Sequence, residues 1–263
     1  MKSEGSLADI LARVGERHGV RHVFFYESTD STNTRAKFFQ INEARGDKSP
    51  AIFIARAQTA GRGTHARGFE SPSDGGLYIS FLFYPKILAK NSARITTYAA
   101  TRVCRAIERT CKEVKNLGIK WVNDVYVSDR KISGILTEGV AGEGGALDFA
   151  IVGIGINVKR GYLSDSLSSI AASLEDFGMT TDIGTLAEAL TDEFFAGLPE
   201  LSSKKTMEEY QSRSMLIGRR VLISENDCEG VYTVLGITDE GALLAEDENG
   251  NTKKFISATV TLL

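Results

Sequence analysis

Four short segments carry residue types that could do chemistry. The first is Gln58-Thr59-Ala60-Gly61-Arg62-Gly63-Thr64-His65-Ala66-Arg67-Gly68-Phe69. Glycines at 61, 63 and 68 let backbone approach a ligand closely, and Arg62 and Arg67 carry planar, permanently charged forks that match carboxylate and phosphate oxygens. Such a loop directly after a strand suits a polyanion, although a solvated surface loop would have the same composition. It is not a P-loop, because no GxxxxGK[ST] pattern is present. The second is Lys120-Trp121-Val122-Asn123-Asp124. A lysine inside a strand is costly unless a partner or an anionic ligand compensates it, and a positioned ammonium stabilises charge growing on a carbonyl or phosphoryl oxygen. The alternative is a lysine whose stem lies along the strand while its head reaches water. Trp121 by itself reads as core.

The third segment, Gly153-Ile154-Gly155-Ile156-Asn157, has two glycines of a dinucleotide fingerprint but valine at 158 where the third would stand. No helix is predicted after it, so a Rossmann reading is rejected. A strand with two bare positions instead lets a flat ligand lie on its backbone, with Asn157 at its polar edge. The fourth, Ser31-Thr32-Asn33, is a helix-capping cluster that can also aim free N–H groups at a ligand.

The elements that must position these groups follow from periodicity. Helices are predicted over 6–18, 33–45, 91–115, 184–197 and 204–212. The long one should carry Val103, Ile107 and Val114 on its apolar side. Strands are predicted over 23–26, 51–57, 77–84, 119–121, 125–127, 131–138 and 149–158. Residues 125–138 should form a hairpin, and the unbroken apolar run at 149–158 points to a central strand. Beyond Met215, short runs at 220–224, 231–237, 242–245, 253–256 and 259–262 alternate with Gly- and Asp-bearing turns, which reads as a small β-barrel. The boundary is placed near 212–216, giving domains 1–213 and 214–263.

The composition sets outer limits. With 263 residues, 42% hydrophobic and 25% charged, the chain suits one large core plus a small accessory domain. A net charge of -3 argues against a generally nucleic-acid-binding surface. The strand at 23 leaves no room before it for a three-helix DNA-reading domain. No apolar run is long enough to span a membrane, and Asp9, Arg13, Glu16 and Arg17 interrupt any leader-like stretch. Cys104, Cys111 and Cys228 form no CxxC pair and read as core thiols of a cytoplasmic protein.

Taken in order, Ser31-Thr32-Asn33, Gln58-x-x-Gly61-Arg62-Gly63, Lys120-Trp121-x-Asn123-Asp124, Gly134-Ile135-Leu136 and Gly153-x-Gly155-x-Asn157 resemble the biotin–protein ligase family over residues 24–160. The C-terminal segment is similar to that family's SH3-like domain in length and texture only. The resemblance implies the monofunctional type without a winged helix. It also implies an α+β fold: a mixed sheet with flanking helices, related to class II aminoacyl-tRNA synthetases, plus the small SH3-like β-barrel.

It further implies an ATP-dependent ligase that forms biotinyl-5′-AMP from biotin and Mg-ATP. The biotin then passes to a lysine of a biotin carboxyl carrier domain. Neither DNA nor a membrane is an expected partner, and a homodimer is left open. By resemblance, Ser31, Thr32, Asn33 and Gln58 hold biotin, with Gly61, Arg62, Gly63 and Thr64 as the ligand loop. Lys120 contacts the biotin carboxylate and α-phosphate. Arg67, Phe69, Asn123, Lys131 and Asn157 place the nucleotide, and Lys120, Arg62 and Arg67 are the catalytic cations. The metal ligands are not specified. Many members have arginines where this chain has Thr64 and His65, which implies weaker retention of the adenylate; Val122 stands where many have proline and should alter strand stiffness. The alternatives are a lipoate–protein ligase-like enzyme and a non-catalytic biotin-binding or interaction protein.

Overall fold

The computed structural model describes residues 7–64, 67–225 and 228–263. Seven strands form one sheet in the order β1-β2-β3-β7-β6-β5-β4. They are β1 (His22–Tyr26), β2 (Ala51–Ala55), β3 (Gly76–Phe83), β4 (Leu117–Lys120), β5 (Asp124–Val127), β6 (Arg130–Ala141) and β7 (Leu147–Asn157). Only β1 and β2 pair in parallel; the other pairings are antiparallel, so the sheet is mixed. The apolar run predicted to be central is β7, fourth of seven.

The helices are α1 (Leu7–Glu16), α2 (Thr32–Asn42), α3 (Ala93–Thr110), α4 (Ile183–Ala196) and α5 (Lys204–Ser212). The expected start of α1 at residue 6 lies outside the described residues. Helix α3 is shorter than predicted. Cys111 turns extended, and Lys112 N–H then donates to Thr180 O, so a tertiary bridge draws the chain away; Val114 ends up exposed. Of the three thiols only Cys104 is buried in the core, and burial pushes it up to about 12; Cys228 is exposed. The core-thiol reading therefore holds for one residue.

Side chains alternate between the two faces of a strand, and the faces here have different fates. On one, Ile52, Ile54, Leu77, Ile79, Phe81, Val152, Ile154 and Ile156 pack in the main core with residues of α1, α3 and α4. The other face is divided. Helix α2 covers half of it, burying Ala36 and Phe39 against Phe53, Leu82, Phe149 and Ile151. The remaining half carries Ser80, Gly153, Gly155, Gly134, Leu136, Glu138, Asp124 and Lys120, which the strand registers place on that same face. Mostly small and polar residues there form a platform that α2 touches only with its first turn, through Thr32 and Asn33.

The C-terminal unit is a five-stranded antiparallel sheet in the order β11-β10-β9-β8-β12. Its strands are β8 (Arg220–Glu225), β9 (Cys228–Ile237), β10 (Leu243–Asp247), β11 (Thr252–Phe255) and β12 (Thr259–Leu262). Among the described residues the edge strands β11 and β12 are not paired, so the expected barrel is not closed by backbone hydrogen bonds. Val221, Ile223, Leu243 and Phe255 join the same apolar cluster as the large sheet. Trp121 Nε1 donates to Gly241 O (2.8 Å) and Gln211 Nε2 to Ile237 O (2.6 Å), which ties the two units together. Among the described residues no helix is long and apolar enough to cross a membrane.

Candidate functional site

The N-terminus of α2 meets the polar half of the platform. Ser31 takes the N-cap position in extended backbone, but its side chain makes no capping hydrogen bond. The expected cap is thus positional only. Instead Thr32 N–H and Oγ1–H both donate to Gln58 Oε1 (2.9 and 3.2 Å). Gln58 Nε2 donates to Ser71 Oγ (2.8 Å), which in turn donates to Phe69 O (3.0 Å). This relay fixes Gln58 and joins the first turn of α2 to the glycine loop. Asn33 is also committed. Its Oδ1 accepts from Ser80 Oγ (2.6 Å), while Nδ2 donates to Leu136 O (3.3 Å) and Glu138 Oε2 (2.9 Å). Asn33 therefore shapes the wall rather than offering a free amide.

The loop after β2 is folded back on itself. Phe69 N–H donates to Gly61 O (2.9 Å) and Gly63 N–H to Arg67 O (2.7 Å). Gly61 is required by contact, because a Cβ there would lie 2.3 Å from Phe69 O. The Phe69 ring comes to rest on the platform, where a Cβ at Gly155 would meet it at 2.4 Å. Arg62 pairs with Glu138 (3.2 Å), whereas exposed Arg67 reaches across to Thr259 Oγ1 of β12 (3.1 Å). His65 lies outside the described residues.

The enclosed space is small, about 40 Å³. Ser31, Thr32, Asn33, Gln58, Arg62, Gly63, Thr64, Phe69, Asn123 and Lys131 all line it, with the predicted Gly134-Ile135-Leu136 and Gly153-Ile154-Gly155 as floor. Gly61, Lys120, Arg67 and Asn157 are outside this lining. Asn157 is buried, with Nδ2 donating to Ala172 O (3.2 Å). Asn123 lines the cavity while its amide braces β6 through Ile135 O (3.0 Å).

Lys120 is the last residue of β4, and residues 121–123 are a turn with a cis Trp121–Val122 peptide. The strand-interior expectation for Lys120, and with it the stiffness argued for Val122, does not apply. Lys120 is nonetheless half-buried, and burial holds its ammonium below the usual lysine range; Lys131 and Arg67 push the same way and Asp124 opposes them. Lys131 Nζ pairs with Asp124 Oδ1 (2.8 Å). Sequence reasoning missed Glu138, Ser80 and Ser71. Each acts through a partner distant in sequence, and only Glu138 had a local signal, four residues past Gly134 on the platform face. Among the described residues no group of three or more His, Cys, Asp or Glu could hold a metal ion.

A cavity with hydrogen-bonding walls, glycines in its floor and the cations Arg62 and Lys131 in its lining defines the class: an α+β protein with a small-ligand site on its mixed sheet. Residues 25–157 match the biotin/lipoate A/B protein ligase family, and residues 216–263 match the biotin protein ligase C-terminal domain. The chain is 31% identical over 238 residues to the bifunctional ligase/repressor BirA of Salmonella typhimurium, covering 89% of this chain and 72% of that protein. It is 28% identical to the BirA of Bacillus subtilis over 279 residues, covering all of this chain and 81% of that one. A biotin protein ligase from Aquifex aeolicus, solved with biotin and ATP, superposes with a TM-score of 0.74 at 25% identity, covering 92% of this chain and all of that one. The chain belongs to the biotin/lipoate A/B protein ligase family.

Proposed function

We propose that this chain is a biotin–protein ligase: it condenses biotin with ATP to give biotinyl-5′-AMP and pyrophosphate, then passes the biotinyl group to a lysine amine. A biotin carboxyl carrier domain is the proposed acceptor, and Mg-ATP the form of nucleotide used. The observation that carries the reading is a hydrogen-bonded wall that shares one cavity with two cations, each held by a carboxylate. Thr32 and Gln58 are locked by mutual hydrogen bonds beside a floor of Gly153 and Gly155, and Arg62 and Lys131 line the same cavity. A preorganised wall of this kind suits an uncharged, hydrogen-bonding head group, and the cations suit the carboxylate and phosphates it must meet.

The chemistry follows from charge. A biotin carboxylate oxygen attacks the α-phosphorus, the bond to pyrophosphate breaks, and both reactants are anions. Arg62, Arg67 and Lys120 are assigned to screen that repulsion, with Lys120 stabilising charge on the α-phosphate and later on the attacked carbonyl. Ser31, Thr32, Asn33 and Gln58 are assigned to the head of biotin, Asn33 by shaping the wall. Gly61, Gly63 and Thr64 form the loop over the ligand, and Phe69, Asn123, Lys131 and Asn157 border the nucleotide. The Phe69 ring lies against Gly155, so it leaves the glycine floor when a ligand lies there. The domain division at 213/214 belongs to the same proposal.

Biotin-dependent exchange of labelled pyrophosphate into ATP tests the first half-reaction. Exchange with biotin and none with lipoate is the expected result; exchange with lipoate alone, or none at all, overturns the reading.

A further inference from the structure

A carboxylate stands behind two lining residues of the candidate anion site, Asn33 and Arg62. Glu138 sits on the platform face of β6, mostly buried, with 22% of its side chain exposed. Its Oε2 accepts from Asn33 Nδ2 (2.9 Å), and its two oxygens face Arg62 Nη2 and Nη1 (3.2 and 3.5 Å). Asn33 in turn rests on Gly153, where even a Cβ would approach its Oδ1 to 2.1 Å. The same carboxylate thus anchors the wall and neutralises a cation that lines the pocket. Lys131, the other lining cation, is likewise paired, with Asp124. The resting pocket therefore presents matched charges rather than bare positive ones.

Resting on the biotin reading above, we propose that Glu138 is a positioning residue and an internal counter-ion. It holds Asn33 in the wall and occupies Arg62 until a ligand carboxylate takes its place. Because Arg62 is about half exposed, the pair is a weak one and can exchange partners readily. Arg62 then leaves Glu138 for the incoming anion, while Glu138 keeps its hydrogen bond from Asn33. Two consequences separate this role from a merely structural one. Removing the charge at 138 while keeping an acceptor for Asn33 strengthens binding of an anionic ligand. The same change leaves binding of a neutral ligand with the same head group unaffected.

The test is calorimetric titration of the full chain with biotin and with biotinamide, for the wild type, Glu138→Gln, Arg62→Gln and the double variant. Glu138→Gln should bind biotin about two- to fivefold more tightly, the fold-change of an exposed ion pair, with biotinamide unchanged. In the Arg62→Gln background the same substitution should give no gain. Equal weakening of both ligands in Glu138→Gln, or an unchanged biotin affinity, overturns the proposal. Glu138→Asp, which keeps the charge but draws it back from Arg62, provides the comparison if the glutamine variant does not fold: a smaller gain for biotin relative to biotinamide is expected, and an unchanged ratio of the two affinities overturns the proposal. A wild-type chain that binds neither ligand refutes the biotin reading itself.

Discussion

The two floor glycines make a paired prediction, because the structure assigns the same substitution two different costs. An alanine Cβ at position 153 would lie 2.1 Å from Asn33 Oδ1 and 2.8 Å from its Cγ. Asn33 is itself buried and held by Ser80, Leu136 and Glu138, so relief requires it to move by more than an ångström and to lose hydrogen bonds. Overpacking of this kind costs about 1–3 kcal/mol, and a buried polar group left unpaired costs about as much again. Gly153→Ala should therefore destabilise the protein by about 2–4 kcal/mol and also impair biotin binding. At position 155 the Cβ would meet the Phe69 ring at 2.4 and 2.6 Å. That ring is the far end of a side chain on a partly exposed loop, and it can swing away. Gly155→Ala should cost less than about 1 kcal/mol of stability, yet leave a methyl group on the ligand floor. Urea denaturation and biotin titration of both variants measure the two effects. Equal stability losses, or full biotin affinity in Gly155→Ala, would refute the reasoning.

Other predictions concern the cations and the loop. Because burial lowers the pKa of Lys120, its charge is lost at lower pH than an ordinary lysine's. The adenylation rate at limiting substrate should fall as pH rises into the alkaline range, and Lys120→Ala should lose most activity at every pH; a wild-type profile flat up to the ordinary lysine range would contradict this. Arg67→Ala removes one exposed hydrogen bond, to Thr259. It should change stability by less than about 1 kcal/mol while slowing pyrophosphate exchange at least tenfold; unchanged exchange would remove Arg67 from the mechanism. Thr64→Arg adds a charge at the cavity lining and should slow escape of the adenylate, measured by release of labelled biotinyl-AMP; an unchanged escape rate would count against the retention argument. Trp121→Phe deletes the indole N–H that reaches Gly241 O and should cost about 1 kcal/mol in thermal unfolding, with no cost expected only if that link carries no load.

The strands were legible because each had a pattern that burial imposes. The apolar run of β7 is buried on both faces, and the termini of β3, β6 and β7 differ from expectation by a few residues. The end of α3 was not legible. Residues 111–115 have no proline or glycine to stop a helix, and the stop comes from the bridge between Lys112 and Thr180. In the site, the motifs converged as their types suggested: Thr32, Gln58, Arg62 and Lys131 line one cavity. What stayed hidden was who holds whom. Ser80 and Glu138 are ordinary strand residues until Asn33, far away in sequence, needs an acceptor and a donor. Phe69 reads as an aromatic partner for a ligand, but only the register of β6 and β7 reveals that it lies on Gly155. That β11 and β12 are not paired among the described residues is a property of the strand order, which local turn composition does not encode.

The central claim is that this chain activates biotin and hands it to a protein lysine. Intact-mass measurement of a biotin carboxyl carrier domain after incubation with the chain, biotin and Mg-ATP tests it most directly. A mass increase of one biotinyl group, absent without ATP and largely lost with Lys120→Ala, is the predicted result. An unmodified carrier in the presence of all three components would contradict the account.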